Sequence, residues 1–179
     1  MTKYIAFLRA INVGGHNVKM DSLRQFFESL DFANIETFIA SGNVIFDAKS
    51  SDIKSLEKKI EKHLKENLGY EVATFVRTDS ELAEVANYQA FKKSEMDSAV
   101  AFNVAFLSDP LDDPSVKKLM ALKTDIDNFH VHGREVYWLC RKKQSDSTFS
   151  NAVLEKKLGL RSTIRQMSTV QKMAEKYSP

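Results

Sequence analysis

An α+β fold made of two successive βαββαβ units, followed by a last helix, is what this sequence of 179 residues predicts. The first observation is the alternation of short β-branched and aromatic runs with longer runs of helical spacing. In the first half their order is strand, helix, strand, strand, helix, strand. The second is internal repetition: "YIAFL" at 4–8 returns as "NVAFL" at 103–107, and "IETFIASGNVIF" at 35–46 as "IDNFHVHGREVY" at 126–137, with Gly42 against Gly133. "LEKK" occurs at 56–59 and again at 154–157. The third is that capping and turn residues fall at the joints between these runs.

"KYIAFLR" has the length and composition of a strand. After a polar loop, Met20, Leu23, Phe27 and Leu30 recur at the spacing of one helical face. "IETFIA" and "NVIFDA" are strands joined by Ser41-Gly42-Asn43, where glycine permits the positive φ of a tight hairpin. Asp52 caps a helix carrying Ile53, Leu56, Ile60, Leu64 and Leu68, which Gly69 stops. "VATFVRT" is the fourth strand, and Thr78 with Glu81 form a capping box for a short helix. This order is the split-βαβ plan of a ferredoxin-like sandwich. The repetition extends it to tandem ferredoxin-like halves: residues 1–90, a linker at 91–98, and residues 99–179 with the final helix. Ser168 with Gln171 would cap that helix, and Val170, Met173 and Tyr177 share one of its faces. Asp112-Asp113-Pro114 marks another helix start.

Composition narrows the function classes. With 43 % hydrophobic and 28 % charged residues the chain is globular, and its formal charge of +2 does not by itself suggest a nucleic-acid partner. Residues 134–179 are more basic, with 10 Lys/Arg against 4 Asp/Glu. A solvated helix face explains that, and an anion-facing surface is the alternative. The lone Cys140 excludes an internal disulfide and fits a reducing cytoplasm. The apolar run Tyr4–Leu8, closed by Arg9, is too short for a signal-peptide core or a membrane span. A cytoplasmic protein without membrane association is the expectation.

The chemistry gathers in "FLRAINVGGHNVKM", residues 7–20. Gly14-Gly15 lets backbone N–H groups approach a ligand, and the helix that follows offers its positive end. Arg9 and Lys19 add charge, and Asn12 adds hydrogen bonds. In a βαββαβ sandwich this loop and the Ser41-Gly42-Asn43 hairpin leave the sheet at the same edge. The combined set suits a phosphate or a carboxylate. There is no P-loop and no dinucleotide fingerprint, so no cofactor is implied.

These strings, with "LEKKLGLRSTIRQMSTVQKMAE" near the end, resemble the bacterial domain-of-unknown-function family 1697 over essentially the whole chain. The family's usual Leu-Arg-Gly-Ile-Asn-Val-Gly-Gly is matched by Leu8, Arg9, Ile11, Asn12, Val13, Gly14 and Gly15, with Ala10 in place of a glycine. Its Ser-Gly-Asn hairpin is matched by Ser41, Gly42 and Asn43. Its Thr-x-Arg-Asn is matched by Thr163 and Arg165, with Gln166 in place of the asparagine. The resemblance implies a cytoplasmic bacterial protein of ferredoxin-like halves with no established activity. Thr163 and Arg165, just before the last helix, form a second candidate anion site.

His130 and His132 share a strand face, but no third ligand stands at a telling spacing, so no metal is expected. Cys140, two residues after Trp138, reads as a buried inert thiol. The favoured function is binding of a small anionic ligand at the loop edge, with any turnover resting on Arg9 and Lys19. The alternatives are a nucleic-acid-binding module, which the ferredoxin-like sheet allows but no glycine-aromatic string supports, or an interaction scaffold.

Overall fold

The computed structural model describes residues 1–9, 11, 17–39 and 42–179. The chain divides into two compact units, Met1–Ala83 with Met173–Pro179, and Glu84–Lys172. In the first, β1 (Thr2–Leu8), α1 (Met20–Glu28), β2 (Ala33–Thr37), β3 (Asn43–Ala48), α2 (Ile53–Leu68) and β4 (Thr74–Thr78) follow the expected order. The strands lie as β2-β3-β1-β4, each neighbour antiparallel. After α3 (Asp79–Asn87) and α4 (Lys93–Asp97) come β5 (Ala101–Leu107), α5 (Asp113–Met120), β6 (Asp127–His132), β7 (Glu135–Cys140), α6 (Asn151–Leu158), β8 (Ser162–Gln166) and α7 (Met167–Tyr177). The second sheet runs β6-β7-β5-β8, again all antiparallel.

Periodicity explains the packing. On α2, Leu56, Ile60 and Leu64 are fully buried against Tyr4, Ala6, Leu8, Val44 and Phe46 of the sheet. Asp52 starts this helix, its carboxylate accepting from Ser55 N at 3.2 Å, and Gly69 ends it at φ +81°. In the second unit Ala105, Leu107, Val136 and Trp138 pack with Leu119 of α5 and Leu154 of α6. The faces turned away from these helices are buried too: Ile5, Phe7, Ile45 and Phe75 in one sheet, Val104 and Phe106 in the other. The central strands are therefore continuous apolar runs, the mark of strands covered on both sides.

The repeated "LEKK" has a definite structural meaning. Leu56 and Leu154 enter the two cores. The next residue caps an edge strand: Glu57 accepts from Val76 N at 3.2 Å, and Glu155 from Ser162 N at 3.0 Å. An outward edge N–H that no partner strand can take is thereby satisfied.

Four details differ from the expectation. The stretch read as a linker contains α4, whose first turn is held by Glu95 reaching back to Lys92 N at 3.2 Å. β2 ends at Thr37, three residues before the end of "IETFIA". The last helix begins at Met167, directly after β8, so Ser168 lies inside its first turn instead of capping it. Gly42 is not the counterpart of Gly133. Leu8 N donates to Gly42 O at 2.8 Å and Leu107 N donates to Arg134 O at 2.9 Å, which sets Gly42 against Arg134. The cause is loop length: β6 and β7 meet across Gly133 and Arg134 alone, whereas five residues, 38–42, separate β2 from β3.

The end of α7 belongs to the first unit. Tyr177 donates its hydroxyl to Glu36 Oε2 at 2.8 Å, and Lys176 Nζ lies 3.2 Å from the same oxygen. These two hydrogen bonds, that from Tyr177 foremost, hold the Glu36 carboxyl below its ordinary pKa. Phe38 meets the Tyr177 ring edge-on at 6.0 Å.

Candidate functional site

The edge chosen from the sequence is described in part. Asn12, Gly14, Gly15 and Ser41 lie outside the described residues. What frames them is clear. Arg9 follows the last residue of β1, is half-buried, and its N–H donates to Ala73 O at 2.9 Å. Gly42 is buried at φ +83°, and a Cβ built on it would stand 2.9 Å from Ile11 Cγ2 and 3.2 Å from Leu8 O. The hairpin and the chain leaving β1 are thus in direct contact, which only glycine permits. Tyr70 donates its hydroxyl to Ile11 O at 3.2 Å, tying the end of the α2 segment to the same place.

Two members of the predicted set have different surroundings. Lys19 is exposed and extended, immediately before α1, with no side-chain cap of its own. The first turn of α1 carries Asp21, whose carboxylate meets Arg24 Nη2 at 3.2 Å. Asn43 is only 1 % exposed, and its Nδ2 donates to Phe38 O at 2.9 Å. This amide braces the hairpin's own backbone.

Thr163 and Arg165 do not form an exposed site at a helix end. Both lie within β8, in the second unit, and both are buried. Arg165 Nη1 donates to Thr163 Oγ1 at 2.8 Å and to Ile164 O at 3.0 Å. Burial lowers the guanidinium pKa to about 10. The sequence suggested exposure because arginine usually seeks water. It did not reveal that the strand carries the side chain into the interior.

His130 and His132 share a face as expected, and Tyr88 occupies it. The Tyr88 hydroxyl lies 2.8 Å from His130 Nε2, and its ring stacks on His132 at 3.9 Å and 8°. Among the described residues no group of three potential ligands could hold a metal. Burial, and secondarily the neighbouring His132, push the His130 pKa below its ordinary 6.5. The folded protein therefore resists a proton that the unfolded chain accepts. Stability is full above pH 6.5 and declines as pH falls through that value toward the lower folded pKa. Urea melts from pH 8 to pH 5 should show this slope, and His130→Gln should flatten it. An unchanged slope in the variant would assign it to other groups.

Cys140 is buried, with Sγ 4.0 Å from Lys143 O, and burial raises its pKa, which suits an inert thiol. Sequence reasoning passed over Asn103. It is 1 % exposed and lines a cavity of about 420 Å³ with Gln166, Ser168 and Gln171. The signal was present: of the two similar strings, the one at 103–107 has asparagine where the one at 4–8 has Tyr4.

Two four-stranded antiparallel sheets of one strand order, each packed with its own pair of helices, define a mixed α+β protein. The chain belongs to the family described as "Protein of unknown function (DUF1697)", whose model matches residues 1–137. A solved structure, that of the conserved bacterial protein SP0830 from Streptococcus pneumoniae, is similar in fold. It has 24 % sequence identity and a TM-score of 0.74 over 97 % of each chain. No curated protein matches the chain. Among the described residues no helix is long and apolar enough to cross a membrane.

Proposed function

We propose that the protein binds a small anionic ligand, a phosphate or a carboxylate, at the edge where the loop after β1 meets the β2–β3 hairpin. The observation that carries this is the close packing of Gly42 on Ile11 and Leu8. It sets Gly42 against the chain on either side of Arg9, and Asn12, Gly14, Gly15 and Lys19 follow on that same connection in the sequence. An oxyanion there would meet backbone N–H groups and fixed positive charge. The reading treats the units as duplicated ferredoxin-like halves of a cytoplasmic bacterial protein. Support for duplication comes from the shared strand order and from matching ladders, Ile5 opposite Arg77 and Val104 opposite Arg165.

A thermal-shift series with inorganic phosphate, nucleotides, sugar phosphates and dicarboxylates tests the reading. A ligand at 100 times its Kd adds about 2.7 kcal/mol of stability. For a cooperative unit of this size that raises Tm by about 5–10 °C. Lys19→Ala and Arg9→Ala should each remove the shift. Lys19→Ala should leave the ligand-free Tm unchanged, because an exposed charge adds little to folding. If no anion shifts Tm the reading fails, and if the shift survives both substitutions the site lies elsewhere.

A further inference from the structure

The second unit holds a cavity of about 420 Å³ between the start of β5 and the first turn of α7. That volume falls within the range of small-molecule sites. Its walls mix apolar groups, Met96, Phe102 and Met167, with the polar side chains of Asn103, Gln166 and Ser168, and none of the lining side chains is charged.

Asn103 is the anomaly. It is 1 % exposed, and its Nδ2 has no hydrogen-bond partner. Buried amides are normally paired, because a stripped donor loses its water and gains nothing in exchange. At the same ladder position in the first sheet stands Tyr4, opposite Phe46 and Thr78 as Asn103 is opposite Trp138 and Gln166. The Tyr4 hydroxyl is satisfied, donating to Ser50 O at 2.7 Å. At this ladder position the orphan donor is thus found in the second sheet and not in the first.

A second group of donors lies nearby. α7 is 11 residues long, and its first turn contributes Met167 and Ser168 to the wall. The first N–H groups of a helix have no partner within it, and they form the positive end of its dipole. A buried amide donor and a helix start therefore line one cavity, and both call for an oxygen acceptor. From this geometry we infer a binding site for a small molecule that presents a carboxylate or carbonyl oxygen to Asn103 Nδ2. Its apolar body lies against Met96, Phe102 and Met167. The site is separate from the loop edge of the first unit and takes a different part of ligand chemistry, since it offers no fixed cation.

The test uses the full chain, labelled with ¹⁵N, titrated with benzoate, benzamide and toluene while the Asn103 side-chain amide is followed by NMR. Benzoate and benzamide should each shift its resonances saturably, and toluene should not. A stronger response to benzoate assigns the acceptor to a carboxylate, a stronger one to benzamide to a neutral carbonyl. Asn103→Leu, of similar shape without the donor, should abolish the shifts that benzoate and benzamide cause at the Met167 and Ser168 backbone amides, which the same spectra follow in the unsubstituted protein. It should also raise Tm, because an unpaired buried donor is replaced by an apolar group. Gln171→Ala, at an exposed position of the wall, should weaken binding several-fold at unchanged Tm. The inference is overturned if neither oxygen-bearing probe shifts the amide up to its solubility limit, or if toluene acts as well as benzoate. It is equally overturned if Asn103→Leu lowers Tm, which would mean that the amide is already satisfied.

Discussion

Replacing Trp138 with alanine should cost the second unit about 3–5 kcal/mol, the range for removing a large aromatic from a packed core. The indole is 1 % exposed and meets Phe149 edge-on at 4.8 Å. It also carries a polar link: Nε1 donates to Asp127 Oδ1 at 2.8 Å, while Ser147 Oγ donates to Asp127 Oδ2 at 2.6 Å. Removing the ring therefore opens a void and strips one donor from a buried carboxylate. Trp138→Phe separates the two, since it keeps most of the apolar volume and loses only the N–H. That variant should cost about 1–3 kcal/mol. Urea unfolding followed by circular dichroism measures both. Equal losses would place the stabilisation in the hydrogen bond, and a negligible loss for phenylalanine would place it in packing alone.

Gly42→Ala should destabilise the first unit by about 2–5 kcal/mol. A positive φ costs an L-residue about 1–2 kcal/mol, and forcing a methyl into occupied space adds about 1–3 kcal/mol. The occupied space is specific, with Ile11 Cγ2 at 2.9 Å and Leu8 Cβ at 3.1 Å from the added carbon. Gly69→Ala is the internal control. Its φ is +81°, but nothing lies within 4 Å of the added carbon, so it should cost only the backbone share. The difference between the two variants measures how tightly the hairpin is pressed on the chain leaving β1. Gly42→Ala should also diminish any response to anions, because residue 42 can no longer lie against Leu8 and Ile11. If both glycines cost the same, the contact is soft and does not position the edge.

Much of the architecture was legible in the sequence because periodicity reports burial directly. Leu56, Ile60 and Leu64 at helical spacing do face a core, and Thr78 with Glu81 do form their capping box, with bonds of 3.1 and 2.9 Å. The offset of Gly42 from Gly133 was hidden because both glycines have positive φ, so each satisfies the same turn signal in a loop of different length. α4 was hidden because five residues are too few to display a period. The site was less legible. Composition marked Arg165 as exposed, yet a neighbouring threonine and a strand carbonyl supply it with acceptors inside the protein. Asn43 advertised a hydrogen-bonding group and uses it on Phe38 O. Whether a polar side chain serves its own loop or remains available is decided in three dimensions by the position of the nearest carbonyl.

The contribution of Lys176 and Tyr177 to Glu36 bears on how the polypeptide acquires its form as it is made. β1 to β4 leave the ribosome early, but Met173–Pro179, assigned to the same unit, emerge only after all of Glu84–Lys172. Domains generally complete themselves in order of synthesis. Here the earlier unit must wait with the Glu36 and Phe38 surface uncovered while the later one can already close its own sheet. The nascent chain should therefore gain protease resistance in the later unit's strands before the first sheet reaches its final protection, an inversion that pulsed proteolysis of stalled chains would display.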